Sequence, residues 1–247
     1  GNKGRQSVWK LINGDNDNMK IVIIHGQNHK GSTYHIARML AEKIKGDIKE
    51  FFLPRDFGEF CVGCTKCFME SEKKCPHYEK LRPLTDAMDE ADVIILASPV
   101  YVYHVTGAMK TFLDHYGYRW MVHRPKESMF RKQGVCISTA AGAGMKQTNK
   151  DMADSLFFWG VAKRYQYGVR VAAVNWNGVS EKKKCAIDKA TSGIAKKIVN
   201  NSKHVKPGIK TRAMFWAMHF TQRKGFNPCD AEYWKSKGWT GKKRPWK

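Results

Sequence analysis

A doubly wound α/β sheet of five parallel strands is the fold class this sequence predicts, and three observations predict it. Short apolar runs rich in β-branched residues alternate with helix-period segments over about 180 residues, the signature of strands joined by crossover helices. The first run, Met19 to Ile24, enters a polar loop with two glycines, His25-Gly-Gln-Asn-His-Lys-Gly-Ser-Thr33, that opens a helix. The loops after the first, third and fourth runs are built of glycine, proline and small polar residues, and in such sheets ligands sit beyond the carboxyl ends of the strands.

Taken in order, Ile21 to Ile24 read as a buried parallel strand. Ile36, Ala37, Leu40, Ala41 and Ile44 then recur at helical spacing. Ile48 to Leu53 is a second strand closed by Pro54, and Leu81 to Met88 supplies a helix. Asp92 to Ala97 is a third strand, stopped by Ser98-Pro99, and a helix through Met109, Phe112 and Leu113 leads to the strand Gly134 to Ser138. A helix around Met152 to Trp159 precedes a fifth strand expected over Gly168 to Val174, and a helix from about Glu181 to Val199 closes the set.

The chain divides accordingly. Residues 19–202 form the α/β domain, with a cysteine motif at 61–75. Residues 203–247 form a basic C-terminal extension, and residues 1–18, polar and ending just before Met19, are expected to be a leader or an appended remnant. No apolar run reaches the roughly 18 to 20 residues of a membrane span, and nothing at the N-terminus resembles a charged-then-apolar secretory signal. Seven cysteines, an odd count, then favour a reducing, cytoplasmic compartment and a metal or redox role over a disulfide framework.

The net charge is +22. Residues 203–247 hold twelve Lys/Arg against Asp230 and Glu232 alone. With Trp216, Trp234, Trp239 and Trp246 in the same stretch, a nucleic-acid or membrane-surface footprint is one reading. No nucleic-acid motif accompanies it, so no specific nucleic-acid partner is expected; a solvated tail that packs its aromatics on the body accounts for the pattern. The charge implies a general attraction for anionic cofactors such as NAD(P)H.

The chemistry gathers in three loops. Strand, glycine loop and helix N-terminus make an anion site, with Ser32 and Thr33 adding donors. The P-loop pattern fails because Ser32 stands where its lysine belongs, and the dinucleotide fingerprint G-x-G-x-x-G is not met. One terminal phosphate, as in a mononucleotide, remains. In the second loop, Pro99, Val100, Tyr101 and Val102 offer a fixed backbone and flat faces. In the third, Ala140, Ala141, Gly142 and Gly144 leave backbone bare for a planar ring. Phosphate at one loop and ring between the other two is the layout expected of FMN.

Cys61-x2-Cys64-x2-Cys67-x7-Cys75-Pro76 is the second signal. Three thiolates in seven residues and a fourth across a short loop point to a [4Fe–4S] cluster, ahead of unmetallated thiols and of zinc, which prefers two separated pairs. Cys136, Cys185 and Cys229 read as bystanders, and His25, His104, His115 and His123 as structural.

These residues resemble those of a known family. Gly26-Gln-Asn-His-Lys-Gly-Ser-Thr33 is similar to the G-S-P-R-x-G-N-T loop of the NADPH-dependent FMN reductases, and the cysteine run resembles that of the iron–sulfur flavoproteins in the same group. Ser98-Pro-Val-Tyr-Val102, followed by Thr106-Gly107 and Met109-Lys-Thr-Phe-Leu-Asp114, matches the family's S-P-x-Y-x…x-G-x-x-K-x-F-x-D segment. The resemblance covers about residues 19–200. It implies a flavodoxin-like sheet of order 2-1-3-4-5 with FMN at a homodimer or homotetramer interface. It also implies a phosphate held by Gln27, His29, Gly31, Ser32 and Thr33, and a flavin lined by Pro99 to Val102 and by Ala140 to Gly144. Gln27, Asn28 and His29 replace the loop's serine, proline and arginine, so the phosphate meets a neutral or pH-dependent partner there. The implied activity is FMN-dependent oxidation of NAD(P)H with a quinone, flavin or other small-molecule or protein acceptor; an electron carrier with an iron–sulfur cluster is the alternative. The chemistry would be the cofactor's, with no catalytic side chain.

Overall fold

The computed structural model describes residues 18–247, so the expectation for residues 1–17 lies outside the described residues. Five strands form one parallel sheet: β1 (Met19–His25), β2 (Gly46–Phe52), β3 (Val93–Pro99), β4 (Gln133–Ala140) and β5 (Lys163–Arg170). Their order is β2-β1-β3-β4-β5, as expected. The helices are α1 (Ser32–Ile44), α2 (Lys66–Met69), α3 (Tyr78–Glu90), α4 (Gly107–Asp114), α5 (Met145–Phe158), α6 (Glu181–Asn201), α7 (Ile209–Arg223) and α8 (Pro228–Ser236).

The period of two along the strands sorts side chains into two cores. Ile21, Ile23, Val93, Ile95, Val135 and Ile137 face α1 and α6. Val22, Ile24, Ile94, Leu96 and Cys136 face the opposite layer, where Leu84 and Met88 of α3, Phe112 of α4, and Met152 and Leu156 of α5 pack. Central strands buried on both faces have no polar side to show, which is why they read as continuous apolar runs.

The fifth strand is a correction. It spans Lys163–Arg170, not Gly168 to Val174. As an edge strand it pairs only with β4, and it alternates Tyr165, Tyr167 and Val169 toward the core with Arg164, Gln166 and Arg170. An amphipathic edge has no apolar run to mark it. The run that does exist, Val169 to Val174, leaves the sheet at Ala172, whose φ is 49°.

The C-terminal segment is folded. Phe215 of α7, Trp234 of α8 and Trp239 close a third core on Met121 and Phe130. Asp230, 1% exposed, is paired with Arg124 and with His123. Trp234 donates its indole N–H to the His123 carbonyl at 2.6 Å, and Gln222 donates to Val122 at 2.6 Å. Trp234, Trp239 and Trp246 pack in this core, whereas Trp216 is 43% exposed, and the segment itself is helical and anchored.

Candidate functional site

At the carboxyl end of the sheet, backbone bonds carry the ladders past the strand ends and fix the loops. The Gly26 N–H donates to the Ala97 carbonyl at 2.7 Å, that of Val100 to Thr139 at 2.9 Å, and that of Val171 to Ala140 at 2.9 Å. Gly26 is pinned between strands and helix. A Cβ there would meet the Thr106 and Ser98 hydroxyl oxygens and Met109 at 3.0 to 3.2 Å, and Thr106 donates its hydroxyl to the Gly26 carbonyl at 2.6 Å.

The loops bound a cleft lined by Gln27, His29, Gly31, Ser32, Thr33, Pro99, Val100, Ala140 and Ala141. Four further predicted residues stand off its walls. Tyr101 reaches back, its hydroxyl accepting from Gln27 Nε2 at 2.6 Å. Val102 is 93% exposed at a hairpin tip. Gly142 has nothing within 4 Å of a built Cβ, whereas a Cβ on Gly144 would lie 2.6 Å from Val100. Gly144, at φ +100°, therefore seats the third loop against the second.

The anion-binding features are explicit. Helix α1 begins after Gly31 with no side-chain cap and no acidic residue in its first turn, so its leading N–H groups are open to an outside acceptor. Ser32 and Thr33 are buried beside them, and the Thr33 hydroxyl shares a 2.6 Å hydrogen bond with that of Thr139 from β4. This donor set fits a dianionic terminal phosphate.

Further residues contribute beyond those the sequence singles out. His25, at the end of β1 and 3% exposed, lines the cleft and hydrogen-bonds Glu50 of β2 at 2.8 Å. Arg38 of α1 reaches the same carboxylate at 3.0 Å. Burial pushes the Glu50 carboxyl up, yet His25 and Arg38 outweigh it and hold the group below its usual range. Val171, Ala173 and Val174 also line the cleft, because the chain turns out of the sheet there. A register that sets His25 beside Phe52, two residues on from Glu50, is the signal that would have found the ion pair.

The second loop is a two-residue hairpin. Tyr101 and His104 exchange backbone bonds of 2.9 and 3.0 Å, and Val102 and Tyr103 both adopt positive φ, 48° and 68°. Such turns favour Asn-Gly; a β-branched residue there stores strain of roughly 1–3 kcal/mol.

The cysteine motif lies on the face carrying α3 and α4. Burial pushes the Cys67 thiol up to about 11, with further pushes from the nearby sulfurs of Cys75, Cys61 and Cys64, so the four stand as neighbours. Arg124 donates to the carbonyls of Cys67 and Phe68, and Asn227 donates to that of Phe68 at 3.2 Å. Cys229 donates its thiol to the Met69 carbonyl at 2.8 Å. The C-terminal segment thus braces the motif. His115, 5% exposed, donates from Nδ1 to the Thr111 carbonyl at 2.8 Å and lies 2.9 Å from His77 Nδ1. Burial is the main influence holding its imidazole below the usual range.

The model of the NADPH-dependent FMN reductases matches residues 19–172. The chain belongs to that family. Among relatives, an iron-sulfur flavoprotein of Archaeoglobus fulgidus is 39% identical over 88 residues, covering 34% of this chain and 36% of the relative. An NADPH azoreductase of Bacillus sp. is 30% identical over 130 residues, covering 51% of this chain and 61% of that protein. The matches thus span between about a third and three fifths of these relatives' lengths. A solved flavone reductase superposes with a TM-score of 0.55 at 18% identity, covering 77% of this chain and 66% of that one; it shares the flavodoxin-like fold. Among the described residues no helix is long and apolar enough to cross a membrane.

Proposed function

We propose that this protein is an FMN-dependent oxidoreductase that takes electrons from NAD(P)H and passes them to a quinone, flavin, azo compound or other acceptor. The observation that carries the reading is the uncapped start of α1, with Ser32 and Thr33 beside it, where three strand-end loops meet. Gln27, His29, Gly31, Ser32 and Thr33 would surround the phosphate. Pro99, Val100, Tyr101 and Val102 would lie along one edge of the ring, and Ala140, Ala141, Gly142 and Gly144 along the other. FMN, when bound, supplies hydride acceptance and the release of electrons in pairs or singly.

The chain's own part is to bind and orient. The Gln27–Tyr101 bond couples the phosphate loop to the ring loop, so occupancy of one positions the other. The His25–Glu50–Arg38 network holds the floor of the cleft. The surplus positive charge attracts a dinucleotide phosphate. Val102, Tyr103 and Val174, all exposed apolar residues of the surrounding loops, support assembly with a second copy over the cleft, as a homodimer or homotetramer.

The donor set Cys61, Cys64, Cys67 and Cys75 fits a [4Fe–4S] cluster, which would supply one-electron passage. Zn–S bonds of about 2.3 Å would draw four sulfurs within about 4 Å of one another. Among the described residues, no three of these sulfurs lie within 4.8 Å of one another, so the four do not make a ready tetrahedral zinc site.

The test is anaerobic. The released chromophore should run as FMN on chromatography, and NADH or NADPH should bleach the bound flavin. Failure of both donors to bleach a fully loaded protein would overturn the reductase reading.

A further inference from the structure

Cys75, His77 and His115 form a cluster that the flavin does not explain, and of the three only Cys75 belongs to the four-cysteine motif. Each offers one ligand atom, and the three atoms lie within 4.8 Å of one another. The cysteine and His77 follow the α2 turn and lead into α3, whereas His115 arrives from the end of α4, 38 residues on from His77. Three chemistry-bearing side chains from two elements thus converge, and the His115 ring is almost wholly buried.

We propose that Cys75, His77 and His115 bind a single divalent ion of the zinc class, with water in the fourth position. The proton positions favour it. The Thr111 carbonyl can only accept, so His115 Nδ1 carries the proton. Its Nε2 lone pair therefore points at His77 Nδ1, 2.9 Å away. A metal-bound imidazole is characteristically oriented in this way, its far N–H held by a carbonyl. The proton now between the two rings is what the ion displaces. His77 moves it to Nε2, Cys75 gives up its thiol proton to solvent, and the ion takes one thiolate and two neutral imidazoles.

Glu59, paired with Lys80, adds negative charge close to both imidazoles. Phe57 closes one side, edge-on to the His115 ring at 4.8 Å. One thiolate with two imidazoles is a borderline-soft set suited to Zn2+ and tetrahedral Co2+. Because Cys75 also belongs to the four-cysteine motif, the mononuclear ion and a cluster exclude one another.

The test is an anaerobic titration of FMN-loaded full-length protein with Co2+, an ion whose thiolate charge-transfer and tetrahedral bands report its ligands. A C61S/C64S/C67S variant should still bind one Co2+ per chain with a single-thiolate spectrum, and excess Zn2+ should bleach it. Adding His115→Gln in that background should weaken Co2+ at least ~10-fold. Flavin content and melting temperature should be unchanged, which separates this result from the fate of the oxidoreductase reading. If His115→Gln disturbs folding, the half-buried His77→Gln serves in its place. Loss of stoichiometric Co2+ in the triple variant, or affinity indifferent to both histidine substitutions, would overturn the proposal.

Discussion

The cleft at the carboxyl end of the sheet and the cysteine motif beneath α3 and α4 are held by opposite means. The cleft is made of strand ends. Its loops are short, their backbones continue the sheet's own hydrogen bonds, and Gly26 and Gly144 sit where a side chain would collide with neighbouring atoms. The motif has little structure of its own: one four-residue helix, α2, and a short 3-10 turn. It is held by Arg124, Asn227 and Cys229, groups that arrive from 56 to 160 residues later in the chain. A site built from the scaffold persists while the scaffold is folded. A site built from distant braces fails when any one of them does.

The comparison is broken most severely at its two anchors. Replacing Ser32→Ala and Thr33→Val together removes two donors to a charged oxygen, each worth roughly 1.5–3 kcal/mol. FMN affinity measured by fluorescence quenching should fall by at least ~100-fold on the smaller of those values, with metal content of the cysteine motif unchanged. Asp230→Ala leaves Arg124 buried without its partner, a defect of about 3–5 kcal/mol. Here the effects should reverse, with a lower melting temperature and reduced metal loading at Cys61 to Cys75, while the folded fraction keeps FMN. Equal loss of both functions in either variant would mean that the two regions are a single unit.

Lys132, at the far end of the sheet from the cleft, supplies a control belonging to neither region. Its ammonium donates to the carbonyls of Asp89 and Ala91, and burial pulls its pKa down to about 8 from the ordinary 10.5. Between those values the unfolded chain binds more protons than the folded one, so stability rises with pH. Urea melts at pH 8 and pH 10 should show a gain on the order of 2 kcal/mol that Lys132→Met abolishes. The smallest effect belongs to Glu50. Its depressed pKa contributes stability above the unfolded value, and that contribution is lost as pH falls through the folded one. Glu50→Gln should therefore cost about 1 kcal/mol at pH 7, a gap that closes in melts below about pH 4.

The same contrast governs what could be read in the sequence. Ile21 to Ile24 and Val93 to Ala97 are buried on both faces, so their side chains state their position without help from elsewhere. Ser32 and Thr33 are legible for a similar reason, since a phosphate loop is a local arrangement of one strand, one turn and one helix start. Lys163 to Tyr167 was illegible as a strand because an edge position lets polar residues alternate with aromatic ones. The Glu50 carboxylate under His25, the Thr139 hydroxyl against Thr33 and the Asp230 carboxylate against Arg124 were hidden because each is a meeting of distant segments. No short window contains both partners. The histidines read as structural for the same cause, since His115 acquires a neighbour only when α4 is laid beside the turn that carries His77.

The brace supplied by Asp230 also has a consequence in time. A chain is synthesised from its first residue, and 155 residues separate Cys75 from Asp230. At roughly 5–20 residues per second, all four cysteines are made about 8 to 30 seconds before their clasp exists. During that interval the sheet can form while the motif stands open to whatever delivers iron or zinc. Addition of the last Trp-bearing helix then closes it, so a metal bound at the motif would be chosen largely before synthesis is complete.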